Sequence, residues 1–229
     1  MTIERRTFAD KPTLAKELAE AVADRIRAAI ETRGLAAIAV SGGSTPARFF
    51  QALGKTKDID WSRVIVTLVD ERWVDETNDR SNALLVNERM LQGPAAIARF
   101  FPLYSGGDEP DPEHVAKTNS LLAELPEQFA AVVLGMGSDG HVASLFPSTN
   151  PDPADPEPIR QITPDPLPPE APFDRITLTI PALLNADEVM FVIRGNEKLA
   201  LFESATRGEN DLPVARLLGA ARQKVTCFA

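Results

Sequence analysis

The chain has 229 residues, 44% of them hydrophobic and 25% charged, which is enough apolar length for a buried core in one large domain or two small ones. Its formal net charge of −9 makes nucleic acid and anionic membrane poor partners for the surface as a whole, and no apolar run reaches membrane-spanning length. Cys227 is the only cysteine, which excludes an intrachain disulfide and any cysteine-based metal site. Met1 to Arg6 carry charge and lead into no signal-like apolar core, so a cytoplasmic location is expected.

In chain order, Leu14, Leu18, Val22, Ile26 and Ile30 recur every fourth residue and predict a helix ending near Gly34. Leu35 to Val40 reads as a buried strand. Ser41-Gly-Gly-Ser-Thr-Pro46 follows, then a helix over Ala47 to Leu53 with Pro46 at its first position. Val64 to Val69 is a second buried strand, closed by Asp70-Glu-Arg-Trp-Val74. Ser81 to Leu91 reads as a helix with Ser81 or Asn82 as its cap. A short strand is expected near Phe101 to Leu103, a helix over Glu113 to Leu125, and a strand over Ala130 to Leu134. A glycine-rich loop then carries Asp139 and His141 into a small-residue helix start. Pro147 to Pro172 is too rich in proline for a helix or a central strand and reads as a long ordered surface excursion. A strand over Arg175 to Ile180, a short helix to Leu184, a strand over Glu188 to Ile193, a helix from Gly195 to about Thr206 and a last strand over Val225 to Phe228 complete the pattern.

This alternation predicts an α/β fold with a largely parallel sheet. Crossovers between parallel strands gather the strand-to-helix loops at one edge. The loops that begin at Ser41, Asp70, Gly135 and Gly195 are therefore expected to converge, where ligands of open α/β sheets bind.

Each loop offers chemistry and also a plain structural reading. Gly42, Gly43, Ser44 and Thr45 resemble an anion cradle of backbone N–H groups and hydroxyls, or a capped tight turn. The Walker lysine and the dinucleotide glycine spacing are both missing. Asp70 and Arg72 can hold a polyol and a charged group, or form an ion pair at the sheet rim. Lys198 sits in the first turn of a helix, where a cation is disfavoured unless an anion offsets it. Arg194 and Arg175 are further cations for that task, and Arg175 begins a strand. His141 can take and return a proton near neutral pH. His114 reads as a solvated helix residue, and Trp61, Trp73 and the Phe49–Phe50 and Phe100–Phe101 pairs as packing. The histidines and acids show no zinc spacing, so no metal is expected.

Ser41-Gly-Gly-Ser-Thr-Pro46, Asp70-Glu-Arg-Trp-Val74, Ser81-Asn82, Gly135-Met-Gly-Ser-Asp-Gly-His-Val-Ala-Ser-Leu-Phe-Pro147, Arg175-Ile-Thr-Leu-Thr179 and Gly195-Asn-Glu-Lys198 occur in the order seen in 6-phosphogluconolactonases. The resemblance runs from about residue 5 to the end. It implies one domain over residues 1–229, a three-layer α/β/α fold shared with glucosamine-6-phosphate deaminases and ribose-5-phosphate isomerases. It also implies hydrolysis of 6-phosphoglucono-1,5-lactone to 6-phosphogluconate with no cofactor. His141 is then the general base, and Asp139, the second catalytic residue, orients its ring or contacts the sugar. Gly42, Gly43, Ser44, Thr45, Asp70, Arg72, Gly137, Gly140, Arg175 and Lys198 are substrate contacts. Backbone amides of Gly135 to Gly140, or Arg72, would serve the oxyanion. The expected partner is a phosphorylated sugar lactone, with the chain as a monomer or small homo-oligomer. Deaminases similar in this loop carry Glu before the proline where this chain has Phe146, which argues against isomerising chemistry. A sugar-phosphate sensor without turnover is the reading from another class. Val225 to Ala229 departs from the family's closing Trp and acid, which leaves the packing of the last strand open.

Overall fold

The computed structural model describes residues 3–43, 47–107, 109–169 and 171–229. The elements in chain order are β1 (Ile3–Arg6), α1 (Lys11–Arg33), β2 (Ala36–Val40), α2 (Ala47–Gly54), β3 (Val64–Leu68), β4 (Asp70–Arg72), α3 (Asn82–Arg89), β5 (Arg99–Phe101) and α4 (Pro112–Leu122). They continue with β6 (Ala131–Leu134), β7 (Ile159–Ile162), β8 (Arg175–Leu178), α5 (Ile180–Leu184), β9 (Glu188–Val192), α6 (Asn196–Thr206), α7 (Pro213–Ala220) and β10 (Lys224–Phe228).

Seven strands form a wholly parallel sheet in the order β1-β10-β9-β6-β2-β3-β5. β2, β3 and β6 are buried along their whole length, which fits a parallel sheet covered on both faces. Connections from β1 to β2, β2 to β3 and β3 to β5 step toward the β5 edge, and the later ones step back toward β1. Right-handed crossovers then put α1, α2 and α3 on one face and α4 to α7 on the other. Their contacts agree: α1 packs on α2, α2 on α3, and α7 on both α5 and α6. The three-layer α/β/α architecture is thus present. Direction reverses between β2 and β6, so a crevice opens outside their carboxyl ends.

Helix α1 shows how closely local sequence and packing agree. Asp10 caps it through the Thr13 amide at 2.7 Å, Gly34 ends it at φ 76°, and Leu14, Leu18, Val22 and Ile26 are buried along one face. Ser81, not Asn82, caps α3, accepting the Leu84 amide at 3.2 Å. Trp61, Trp73, Phe49 and Phe50 are buried, and β10 is packed between β1 and β9 despite its unusual end. No helix among the described residues is long and apolar enough to cross a membrane.

Several expectations need correction. Asp70 to Arg72 is a strand, not a loop, and Arg175 to Leu178 does not join the large sheet. With β7 they form a second, antiparallel sheet in the order β4-β8-β7. β7 lies inside the proline-rich excursion as an edge strand, where the missing donors of flanking prolines do no harm. β5 begins two residues earlier than expected. His114 is partly buried, its ring 5.8 Å from Trp73 at 67° and its Nδ1 3.0 Å from Asp111.

Candidate active site

Ser41 bridges the two strands that flank the crevice. Its amide and its hydroxyl each donate to the Val133 carbonyl at 3.0 Å, and the hydroxyl accepts the Gly135 amide at 3.3 Å. Gly43 has φ +95°, and a Cβ on Gly42 would overlap the Asn82 side chain. Ser44, Thr45 and Pro46 lie outside the described residues.

After β6 the chain makes two consecutive turns where a helix start was expected. Gly140 (φ 79°) and Ala143 (φ 49°) are left-handed, a conformation that stops a right-handed helix. The first turn is closed by the Gly137 amide on the His141 carbonyl at 2.9 Å and the Gly140 amide on the Gly137 carbonyl at 3.2 Å. Inside it, His141 Nδ1 donates to Asp139 Oδ1 at 2.7 Å, and the same oxygen accepts the His141 amide at 3.2 Å. A Cβ on Gly137 would overlap both the imidazole and that carboxylate, so the pair can form only over a glycine. With Nδ1–H held by a carboxylate, Nε2 is the nitrogen left with a free lone pair. Phe146 packs against the ring at 4.9 Å between centroids, tilted 46°.

His141 opens onto a cleft of about 280 Å³. Ser41, Gly42 and Gly43 line it from β2, Asp70 and Arg72 from β4, Asn82 from α3, Gly135 to Gly137 and Ala143 from the loop after β6, and Lys198 from α6. A smaller cavity of about 110 Å³ adjoins it between Gly42–Gly43, Gly135–Met136, Arg194 and Lys198. The four loops do converge. Lys198 is in the first turn of α6, and its ammonium donates to the Met136 carbonyl at 2.8 Å, which leaves two N–H groups for a ligand.

β4 divides its three side chains by strand alternation. Asp70 and Arg72 face the cleft. Asp70 Oδ2 accepts the hydroxyl of buried Ser144 at 2.6 Å. Arg72 donates to the Arg80 carbonyl at 2.9 Å and to Asn82 Oδ1, while Asn82 Nδ2 donates to the Asp70 carbonyl at 2.9 Å. Glu71 points the other way and is 0% exposed. Its Oε1 accepts the Arg72 and Asn82 amides at 2.8 Å each, and its Oε2 accepts the Ala83 amide at 2.8 Å and the Ser81 hydroxyl at 3.0 Å. Burial pushes its carboxyl up to about 7, against the pull of these four donors.

Some proposed contacts fall elsewhere. Arg175 lies level with Arg72 across the β4–β8 ladder, but it is buried and outside the cleft lining. Its guanidinium donates to the carbonyls of Ala171 (2.6 Å), Phe173 and Asp174 (3.3 Å). Burial, and then the charge of Arg72, lower its pKa. Gly140 also lies outside the lining; its carbonyl accepts the Val214 amide at 3.1 Å, and Leu212 covers its α-carbon. The amides of Gly135, Gly137 and Gly140 are committed to internal bonds, which removes them as donors to an oxyanion. Asn82, Ala143 and Ser144 stand within the family motifs of the sequence, but no role at the site was read for them there. Ala143 and Ser144 follow His141 by two and three residues in the same loop, but the spacing does not show that Ser144 meets Asp70. Among the described residues no three His, Cys, Asp or Glu side chains gather as metal ligands.

A family model described as glucosamine-6-phosphate isomerases/6-phosphogluconolactonase matches residues 9–227. The chain belongs to this family. It is 42% identical over 225 residues to a 6-phosphogluconolactonase of Mesorhizobium japonicum, covering 96% of this chain and 92% of that one. A crystal structure of a 6-phosphogluconolactonase from Shewanella baltica superposes with a TM-score of 0.89 at 33% identity, over 99% of this chain and 97% of the other. A monomeric glucosamine-6-phosphate deaminase gives a TM-score of 0.79 at 16% identity, over 98% and 96% of the two chains. That likeness is one of fold alone. The family fold thus serves two chemistries, and the site must decide between them.

Proposed function

We propose that this family member is a 6-phosphogluconolactonase, hydrolysing 6-phosphoglucono-1,5-lactone to 6-phosphogluconate in the oxidative pentose phosphate route. The observation that carries the reading is the imidazole of His141, fixed by Asp139, facing a cleft that also holds Asp70, Arg72 and Lys198. Phe146 fills the place where deaminases similar in this loop carry an acid, and it packs on the imidazole. Among the described residues no carboxylate occupies that place to shuttle the protons that ring opening and isomerisation need.

His141 Nε2 takes a proton from water as the oxygen attacks the lactone carbonyl carbon. The carbonyl oxygen gains charge in the tetrahedral intermediate, and Arg72 supplies the compensating cation. The ring C–O bond then breaks, and the imidazolium returns its proton to the departing oxygen. Asp139 holds the ring in the tautomer that leaves Nε2 basic, and Asp70, oriented by Ser144, holds sugar hydroxyls. The phosphate rests on the turn after β2 with Lys198, where the start of α6 adds its dipole. The unit is one domain, cytoplasmic, working as a monomer or small homo-oligomer on a small phosphorylated substrate. A lone buried cysteine and a charge of −9 support this setting.

The purified protein is expected to hydrolyse freshly made 6-phosphogluconolactone well above the spontaneous rate. In Lys198→Ala, KM for that substrate should rise about tenfold or more, the weight of a lost charge-assisted hydrogen bond. Unphosphorylated gluconolactone should be handled as by wild type. Equal losses on both substrates would remove Lys198 from the phosphate, and wild-type turnover at the background rate would end the lactonase reading.

A further inference from the structure

We propose that Glu71 is a positioning residue, a buried carboxylate that sets the aim of Arg72 and Asn82 in the cleft. The proposal rests on the lactonase reading. Its Oε1 holds the backbone amides of both cleft residues at once, each at 2.8 Å, although they come from different elements, β4 and α3. The two side chains then meet in the cleft, where Arg72 donates to Asn82 Oδ1 and Asn82 Nδ2 ties back to the Asp70 carbonyl. One carboxylate thus joins the strand that carries Asp70 and Arg72 to the helix that carries Asn82.

A capping role alone does not account for it. Ser81 already accepts the Leu84 amide at 3.2 Å as the side-chain cap of α3. The gain from a cap is small, whereas a fully buried carboxylate carries a desolvation penalty that its hydrogen bonds must offset. Ser, Asp or Asn at the helix start would do the capping from the surface. Only a group reaching from β4 also fixes where Arg72 stands relative to Asn82. The close approach of Gly42 to Asn82 shows how little slack the cleft leaves, since even a Cβ there would overlap the amide.

The test uses Glu71→Gln in the full chain. The amide NH₂ must face one pair of donors, so either the Arg72 and Asn82 amides or the Ser81 and Ala83 groups lose their acceptor. Binding of 6-phosphogluconate by calorimetry is read alongside kcat and KM. The expected result is a stoichiometry near that of wild type with Kd raised about tenfold, and no further loss when Glu71→Gln is added to Arg72→Ala. Leu18→Ala, a remote core change on α1, serves as the control and should lower Tm without altering Kd. A role in stability alone would lower the bound fraction and leave Kd unchanged, and losses that multiply with Arg72→Ala would separate Glu71 from the arginine; either result overturns the inference. If Glu71→Gln does not fold, Glu71→Asp, which keeps the charge and the Ser81 cap but withdraws the carboxylate from the two amides, decides the matter: Kd should rise, and an unchanged Kd there is also adverse. If wild type neither binds 6-phosphogluconate nor hydrolyses the lactone, the functional reading fails first.

Discussion

Every residue of β2, β3 and β6 is buried, and all but one of them are aliphatic or alanine. In β4 the order is Asp, Glu, Arg, and each makes specific polar bonds. The large sheet owes its stability to apolar area removed from water, which is tolerant of small displacements. The small sheet holds charges whose worth depends on distance and direction, so a shift of an ångström there changes chemistry before it changes stability. The two regions meet at Val69, whose amide bonds to the Val40 carbonyl and whose carbonyl accepts the Leu178 amide, at 3.0 and 2.8 Å. The polar strand is therefore carried directly by the apolar one.

Substitutions should sort along this division. The largest effect is expected at His141→Asn, where kcat should fall by about 10²- to 10⁴-fold, the usual weight of a general base, with Tm nearly unchanged. Turnover close to wild type, with the spontaneous rate subtracted, would take His141 out of the mechanism. Leu68→Ala, a fully buried change at the end of β3 in the large sheet, should cost about 2–5 kcal/mol in urea unfolding while KM of the folded enzyme stays the same. A changed KM would break the division of roles.

The smallest of these effects is a pH dependence. The Glu71 carboxyl is raised from 4.5 to about 7 by burial, so between those values the folded state binds the proton that the unfolded state has released. Its contribution to stability is therefore full below about pH 4.5 and lost as pH rises through 7, on the order of 3 kcal/mol in all. The difference in unfolding free energy between wild type and Glu71→Gln should shrink accordingly from pH 5 to pH 8. A difference that grows with pH would mean that the four donors outweigh desolvation.

Legibility in the sequence follows the same line. The large sheet was readable because fully buried parallel strands print as unbroken runs such as Val64 to Leu68, and α1 because its buried face repeats every fourth residue. The small sheet was not, because three residues are too few for a pattern and its partners lie about a hundred residues away across a proline-rich stretch. The same gap explains the site. His141, Asp139 and Lys198 were found because glycines and a helix start frame them in the sequence. Arg175 falls outside the cleft lining because its strand pairs with β4 and β7 in the small sheet, a pairing that strand spacing does not show. Ser144 and Asn82 stand in quoted motifs, but their roles come from hydrogen bonds to Asp70 and Arg72 that only the fold brings about.

β10, the last strand of the large sheet in sequence, lies between β1, the first, and β9. In synthesis β1 precedes every other strand of the sheet, and it has no sheet neighbour until β10 has been made. Until residues 224–228 are free, both β1 and β9 present open backbone edges, the surfaces by which nascent chains stick to one another. Completion of this sheet thus waits on residues 224–228, and a polypeptide stalled before Lys224 would leave the sheet's first strand still unpaired.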